Sequence, residues 1–424
     1  MLGIVQKSRL RKLKNRLTRA RRDWRTAKLL RAGDGVASRF PRFVVYEPTL
    51  LCNLHCSFCY VADILNPEDW RQKELSIEEL DRIFGDGGVP SFNLTGGEPF
   101  VRKNLLEIFD LFRRKGMRCD YITTNGTVIK EDRAEALAEL TASGFLRHIS
   151  VSIDGPPDFH DSIRGQKGAF RKSAESILML RSVFARKGLA VPLSINTTLT
   201  SGNLHLLKHV VDEAEKLDVD LVGLNQLMFA TRKEVDETLA IIGETDPSVI
   251  STHVTDDPGI DPQEVPKILR EAVDYADAKG ITINWRPAQS YAQLVDYYTP
   301  NRPLEGRCFY PFFGGRVTYD GKLQFCPFIR VEIGDLREQS LESAWNAPRY
   351  VELRKKLLEH GIFPVCRRCC KVELRSSPSE GEPGARAQGE SSSPGRRPQR
   401  AVERRTAARA EPSAQSGGGG APPH

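Results

Sequence analysis

The 424 residues are 40% hydrophobic and 28% charged, with a formal net charge of +7, a length that can bury a sizeable core and hold two or three domains. No run of eighteen apolar residues and no secretory h-region occurs, so the expectation is a cytoplasmic protein without membrane-spanning helices. Nine cysteines, grouped in clusters, then read as metal ligands and not as a disulfide framework.

The positive charge sits at the ends. Residues 1–42 carry 14 basic and 2 acidic side chains, whereas residues 43–370 carry 39 and 47. In the first stretch Leu10, Leu13, Leu17, Ala20 and Trp24 recur at helical spacing among Lys and Arg, which predicts a basic amphipathic helix. Such an extension lies on an anionic membrane surface or docks on an acidic partner, or else packs its leucines on the core and leaves a solvated basic face. Beyond Trp24 its basic stretch has no interleaved aromatics of the kind on which a nucleic-acid binder stacks bases, so no specific nucleic acid is expected as a partner.

From Phe43 short β-type runs alternate with amphipathic helices. Strands are predicted over Phe43–Leu50, Ser91–Thr95, Arg118–Thr124, Arg147–Ile153, Pro192–Thr198 and Val219–Gln226, with helices near Ser76–Phe84, Asn104–Lys115, Asp132–Ser143, Phe170–Lys187 and Leu204–Leu217. Ser76 and Glu79 form a capping box, and Gly116, Gly144 and Gly188 stand where helix ends want positive φ. Six such repeats over residues 43–228 predict an α/β fold, a parallel sheet curled into a partial (β/α)6 TIM-like barrel, with chemistry at the C-terminal strand ends. Residues 229–300 read as an acidic insertion and a bridging helix and strand. Residues 230–263 within it show no sustained period and look like a loop or lid, followed by a helix Glu264–Lys279 and a strand Ile281–Trp285. Residues 301–371 form a small α+β unit with a hairpin at Tyr319-Asp320-Gly321-Lys322. Residues 372–424, rich in Ser, Gly, Pro, Arg and Glu, are expected to be a disordered tail.

Cys52, Cys56 and Cys59 lie just after the first predicted strand in a C-x3-C-x2-C spacing. Three thiolates at that spacing suit three irons of a [4Fe–4S] cube and leave the fourth iron open to a ligand. A zinc site is the competing reading, but zinc sites show two ligand pairs and no fourth ligand stands nearby. Thr95-Gly96-Gly97-Glu98-Pro99 follows the second strand, where glycines allow close backbone approach and a carboxylate can pair with an ammonium. Ser152-Ile153-Asp154-Gly155 ends the fourth strand, with Arg164 twelve residues after Ser152. Arginine suits bidentate carboxylate recognition, although Arg164 also reads as an ordinary loop arginine.

These motifs resemble those of the radical S-adenosylmethionine (SAM) superfamily. The resemblance implies that Cys52, Cys56 and Cys59 ligate a SAM-binding [4Fe–4S] cluster, that Gly96, Gly97 and Glu98 hold SAM's amino group, that Ser152 contacts its ribose or carboxylate, and that Arg164 pairs with the carboxylate. It further implies that Phe58 lies by the adenine and that Asn196 contacts the ribose. Cys308, Gly321 and Cys326 resemble the opening of SPASM auxiliary-cluster domains. Only Cys366, Cys369 and Cys370 follow, enough for one further [4Fe–4S] cluster, which is closer to the shorter twitch version. The resemblance makes Cys308, Cys326, Cys366 and Cys369 its ligands, with Cys370 as a substitute for Cys369. A four-cysteine zinc ribbon competes for this unit. Cys119, inside the third strand, reads as a buried apolar residue.

The implied activity is reductive cleavage of SAM to a 5′-deoxyadenosyl radical that abstracts hydrogen from a substrate C–H bond, with the auxiliary cluster aiding oxidation. A flavodoxin- or ferredoxin-like electron donor is the implied partner. Residues 1–42 are too short for the winged-helix domain by which relatives recognise peptides. That favours a small polar or sugar-like metabolite as substrate, with maturation of a ribosomal peptide or protein side chain as the alternative. A non-catalytic iron–sulfur or zinc protein is the reading from another class, against which Glu98, Ser152 and Arg164 speak.

Overall fold

A computed structural model describes residues 32–374 except Asp86 and Pro303. The amphipathic helix expected around Leu10–Trp24 and the tail beyond residue 374 lie outside the described residues.

Ten strands form one sheet. Six of them, β1 (Phe43–Tyr46), β2 (Ser91–Leu94), β3 (Arg118–Thr124), β4 (Ile149–Ser152), β5 (Leu193–Thr198) and β6 (Leu221–Asn225), pair in chain order and all in parallel. Helices Ile77–Phe84, Leu105–Arg114, Glu131–Ala142, Ala169–Arg186 and Leu207–Lys216 connect them. The Ser76/Glu79 capping box is formed, and Gly116, Gly144 and Gly188 adopt φ of 72°, 77° and 67° at helix ends, a conformation glycine takes without steric cost.

The sheet extends beyond the six expected strands. A two-stranded pair, β7 (Phe229–Ala230) and β8 (His253–Val254), stands apart from it. On one side β9 (Thr282–Arg286) adds in parallel to β6. The remaining pairings bring in the cysteine-bearing C-terminal segment. Here β10 (Gly306–Arg307) pairs with the last described strand, β14 (Glu373–Leu374), while β11 (Gly314–Val317) adds in parallel to β1 and continues through antiparallel β12 (Lys322–Gln324) and β13 (Glu332–Asp335). Pairing covers the exposed backbone groups that β1 and β6 would otherwise present as edges. The β11–β12 turn is the expected hairpin, with Gly321 at φ 85°.

Residues 230–263 are not the featureless loop expected of them. Arg232–Ile242 is a helix opened by a Thr231/Glu234 capping box and closed by Gly243 in the left-handed conformation. The box is present in the sequence, but the surrounding acidic, Pro- and Gly-containing stretch masks a helical period that runs over only eleven residues.

The two faces of the parallel sheet differ in chemistry. In-register residues Thr123, Ser150, Ser152, Ser194, Asn196, Thr198, Gly223, Asn225, Asn284 and Arg286 share one face. Alternate positions Ile122, Ile149, Val151, Ile195, Val222, Leu224, Ile283 and Trp285 share the other and merge with the helices in the apolar core. Many barrels of this type fill the interior with branched aliphatics; here the inner face is polar. On it His148 Nε2 meets Ser194 Oγ at 2.8 Å, Ser194 donates to Ser150 at 3.1 Å, and Asn225 donates to Asn196 at 2.9 Å.

Burial pushes His148 and His160 from the ordinary 6.5 down to about 4. Both imidazoles stay neutral in the fold but protonate in the unfolded chain below pH 6.5, so the unfolded state binds more protons between pH 6.5 and about 4. Stability is therefore expected to fall as pH drops through that window, read as a falling urea midpoint, and His148→Gln should flatten the slope.

Candidate active site

The loop after β1 carries Cys52, Cys56 and Cys59, all partly exposed and free of disulfides. It is tied down residue by residue. Cys52 N donates to Asn66 Oδ1 at 2.8 Å, and Asn53 bonds Thr127 and Asn125 at 2.8 and 3.0 Å. His55 N and Ser57 N donate to the carbonyls of Arg164 and Ile163 at 3.1 and 3.0 Å. Gly97 N and Glu98 N donate to Thr49 and Leu51 at 3.0 and 2.7 Å.

The last contact explains the glycine pair. A Cβ on Gly97 would overlap the Leu51 carbonyl, and one on Gly96, at φ 117°, would lie 2.6 Å from the Thr49 carbonyl oxygen. Gly97→Ala is expected to displace the cysteine loop while the barrel folds. The check is iron content after anaerobic reconstitution beside an unchanged far-ultraviolet circular dichroism spectrum.

Glu98 is 1% exposed and accepts from Phe100 N at 3.1 Å, Thr124 Oγ1 at 2.7 Å and Asn125 N at 2.7 Å. Burial still raises its carboxyl above the usual range, against those three donors and Arg164. A carboxylate offers about four acceptor positions, so one remains.

Arg164 closes the other side. Its Nε donates to Asp154 Oδ2 at 2.6 Å, its Nη1 reaches Cys56 Sγ at 3.5 Å, and its guanidinium lies 5.0 Å from the Phe58 ring centre. Burial works against the charged form, but Asp154 and Cys56 outweigh it and raise the pKa. Ser152, the last residue of β4, is the register partner of Asn196, which lies two residues before the end of β5 and not at its end as expected. The structure thus brings Phe58, Gly96, Gly97, Glu98, Ser152, Arg164 and Asn196 to one end of the sheet with the cysteine triplet. Asp154, quoted within the fourth-strand motif but given no role, proves to be the anchor of Arg164. Its other oxygen accepts from Thr198 N at 3.0 Å.

A second cysteine group lies in the C-terminal unit. Cys308 and Cys326 are electrostatic neighbours, Cys366 interacts with both, and Cys369 interacts with Cys366 and Cys308. Cys326 Sγ accepts from Ile329 N at 3.2 Å. The bond with Cys369 pulls Cys370 down, helped by Lys371 and Arg286, while burial pushes Cys369 up. Tyr60, next to Cys59, has both Cys59 and Cys370 in its electrostatic surroundings. Cys119 is fully buried in β3.

Burial pushes Cys52 up to about 11 and Cys308 up to about 12. Desolvated thiols ionise readily only beside added positive charge, which bound iron supplies. Among the described residues no three His, Cys, Asp or Glu side chains converge on a single-ion site. A [4Fe–4S] cube instead places each cysteine on a different iron. The donor chemistry fits a cluster in each group, and the glycine cradle with the spare acceptor of Glu98 fits a cationic amino group beside the first.

A parallel barrel with a cysteine triplet, a buried carboxylate and a neutralised arginine at its C-terminal end defines an iron–sulfur enzyme. Residues 46–203 match the radical SAM superfamily and residues 308–370 match an iron–sulfur cluster-binding domain. An AdoMet-dependent heme synthase of Methanosarcina barkeri is 33% identical over 351 residues, which is 77% of this chain and 88% of that protein. An AdoMet-dependent heme synthase of Nitratidesulfovibrio vulgaris is 33% identical over 42% of this chain, a match spanning only 45% of its own length. The fold is similar to that of Streptococcus suis SuiB bound to its precursor peptide SuiA, with a TM-score of 0.55 and 18% identity over 77% of this chain and 69% of that one. The chain belongs to the radical SAM superfamily. It is an enzyme whose cofactors are a [4Fe–4S] cluster, SAM and an auxiliary iron–sulfur cluster. No helix among the described residues is long and apolar enough to cross a membrane.

Proposed function

We propose that this enzyme oxidises a C–H bond of a small polar metabolite carrying an acidic group. The observation that carries this reading is the polar inner face of the barrel, which ends at Arg286. When bound, the cluster and SAM supply a 5′-deoxyadenosyl radical able to take hydrogen from an unactivated carbon, and the auxiliary cluster takes up an electron.

The chain's own residues do the holding. Cys52, Cys56 and Cys59 ligate the first cluster. Glu98 turns its spare acceptor to SAM's ammonium, with Gly96 and Gly97 giving the close approach, and the remaining N–H groups of Arg164 take the carboxylate. Phe58 lies by the adenine, and Ser152 and Asn196 contact the ribose. Cys308, Cys326, Cys366 and Cys369 hold the auxiliary cluster, with Cys370, which lies toward Arg286, as the substitute for Cys369.

Arg286 shares the inner face with Asn225, its register partner on β6. Its charge is felt by Tyr121 and His148, yet among the described residues its guanidinium has no ion pair or hydrogen bond. Arg286 is exposed and open to a ligand from solution, whereas the buried Arg164 and Arg316 are matched within the protein, by Asp154 and by Glu47 at 2.5 Å. An unmatched guanidinium over a ladder of hydroxyl and amide groups suits a carboxylate or other anion on a hydrogen-bonding molecule. A carboxylated tetrapyrrole is one such molecule, in keeping with the heme-synthase relatives.

A second reading, peptide maturation, is favoured by relatives named PqqA peptide cyclase, 29% identical over 47% of this chain in the Rhodopseudomonas palustris protein. The test is 5′-deoxyadenosine formed by reconstituted enzyme with dithionite and SAM, alone and with an iron-loaded carboxylated porphyrin, an aminosugar acid or a peptide. Stimulation by an acidic small molecule, lost in Arg286→Gln, is expected; stimulation by the peptide alone would overturn it.

A further inference from the structure

The segment from Phe229 to Val254, most of it within the 230–263 stretch expected to be a loop or lid, is bonded to the flanks of both cysteine groups. Glu234, 1% exposed, accepts from Arg368 Nη1 at 3.0 Å and from Arg367 Nη1 at 3.2 Å. These two arginines are the residues between Cys366 and Cys369. Arg368 is itself 1% exposed, donates to the Tyr297 and Thr299 carbonyls at 2.7 and 2.9 Å, and stacks 4.4 Å from the Phe229 ring centre. One turn along the same helix, Thr238 Oγ1 accepts from Val365 N at 3.0 Å, just before Cys366.

The segment then crosses to the other cysteines. Arg330 N donates to the Val249 carbonyl at 2.6 Å, and Ser251 N donates to the Phe328 carbonyl at 2.8 Å, both on the turn after Cys326. Ser251 Oγ donates to the Tyr60 carbonyl at 2.8 Å, and His253 Nε2 meets the Phe58 carbonyl at 2.7 Å. Since a carbonyl only accepts, that nitrogen carries the proton. The two contacts straddle Cys59.

The geometry points to Glu234 and His253 as positioning residues, with the 229–254 segment as one frame that fixes the auxiliary-cluster loops and the SAM-cluster loop relative to each other. This rests on the reading that the two cysteine groups each hold a cluster. Groups one layer behind the ligands orient them, and their loss costs about 10–100-fold in metal affinity. Without Glu234 the Arg368 charge is left buried and uncompensated, which the Cys366–Cys369 turn relieves only by moving. His253 acts on the other loop through a single hydrogen bond, so the two residues are separable.

The test reads each cluster alone in reconstituted protein, the auxiliary one in a Cys52→Ala, Cys56→Ala, Cys59→Ala background and the first in a background with alanine at Cys308, Cys326, Cys366, Cys369 and Cys370. Glu234→Ala is expected to speed chelator removal of auxiliary iron about 10–100-fold and to shift that cluster's midpoint potential and paramagnetic resonance signal. Glu234→Gln, which keeps the shape, should fall between. His253→Ala should leave auxiliary iron unchanged and speed loss from the first cluster. Should Glu234→Ala fail to fold, Thr238→Val replaces it, with the same direction expected. Wild-type chelation rates and potentials in these variants would overturn the positioning role while the cluster reading stands. A parent protein holding about four irons instead of about eight would overturn the auxiliary reading and the frame with it.

Discussion

Alanine at Cys52, Cys56 and Cys59 together is expected to bring 5′-deoxyadenosine formation down to the level of a mixture without protein. The three thiols are the ligands proposed for the SAM-binding cluster, and no other cysteine lies on that loop to replace them. The protein should still fold, because the loop hangs from backbone bonds to Thr49, Leu51, Ile163 and Arg164 that do not involve the sulfurs. It should also still hold the auxiliary cluster, about half the iron of the parent. Product measured by chromatography, beside iron and sulfide per chain, checks both parts. SAM cleavage persisting at the parent rate would remove the triplet from the mechanism.

Arg164→Met should have the next largest effect, and it should act on stability and on SAM at once. Asp154 is fully buried, and Arg164 is its closest cation. His160 stands 3.8 Å away but is held neutral by burial, down to about 4. Removing one partner of a buried pair costs about 3–5 kcal/mol, because the other charge stays behind unpaired. The urea midpoint should fall accordingly. Affinity for SAM should weaken about 30-fold or more, corresponding to about 2 kcal/mol for truncating a buried charged partner. Arg164→Lys should recover part of the stability and little of the affinity, since an ammonium cannot bond Asp154 and a second carboxylate through one planar fork. Equal SAM affinity in the parent and both variants, by equilibrium dialysis of the reconstituted proteins, would exclude Arg164 from the SAM site.

Much of this site was legible before the fold was known, because its parts are local. The triplet spans eight residues, Gly96-Gly97-Glu98 is contiguous, and each lies just past a strand whose partner helix carries its own cap. The 3.6- and 2-residue periods and the helix-ending glycines placed β1 to β6 within a few residues of their observed bounds. Strand ends were overextended where pairing stops, as at Pro48, whose nitrogen has no hydrogen to donate. The insertion was misread because composition was weighed over thirty-four residues, whereas the Thr231/Glu234 box and Gly243 bound a helix of eleven.

What the sequence by itself determined is the chemistry: which thiols stand close along the chain, which strand ends carry glycine, carboxylate and guanidinium, and hence the superfamily. These are short-range facts, set by covalent spacing and local backbone preference. Only the tertiary structure decided which charges neutralise each other. Glu47 meets Arg316 across 269 positions, and Glu234 meets Arg368 across 134. It also left the Arg286 guanidinium unmatched on a polar wall and bonded residues of the 230–263 stretch to backbone beside both cysteine groups. Such pairings depend on which distant elements pack side by side, a long-range outcome that no local pattern in the chain encodes.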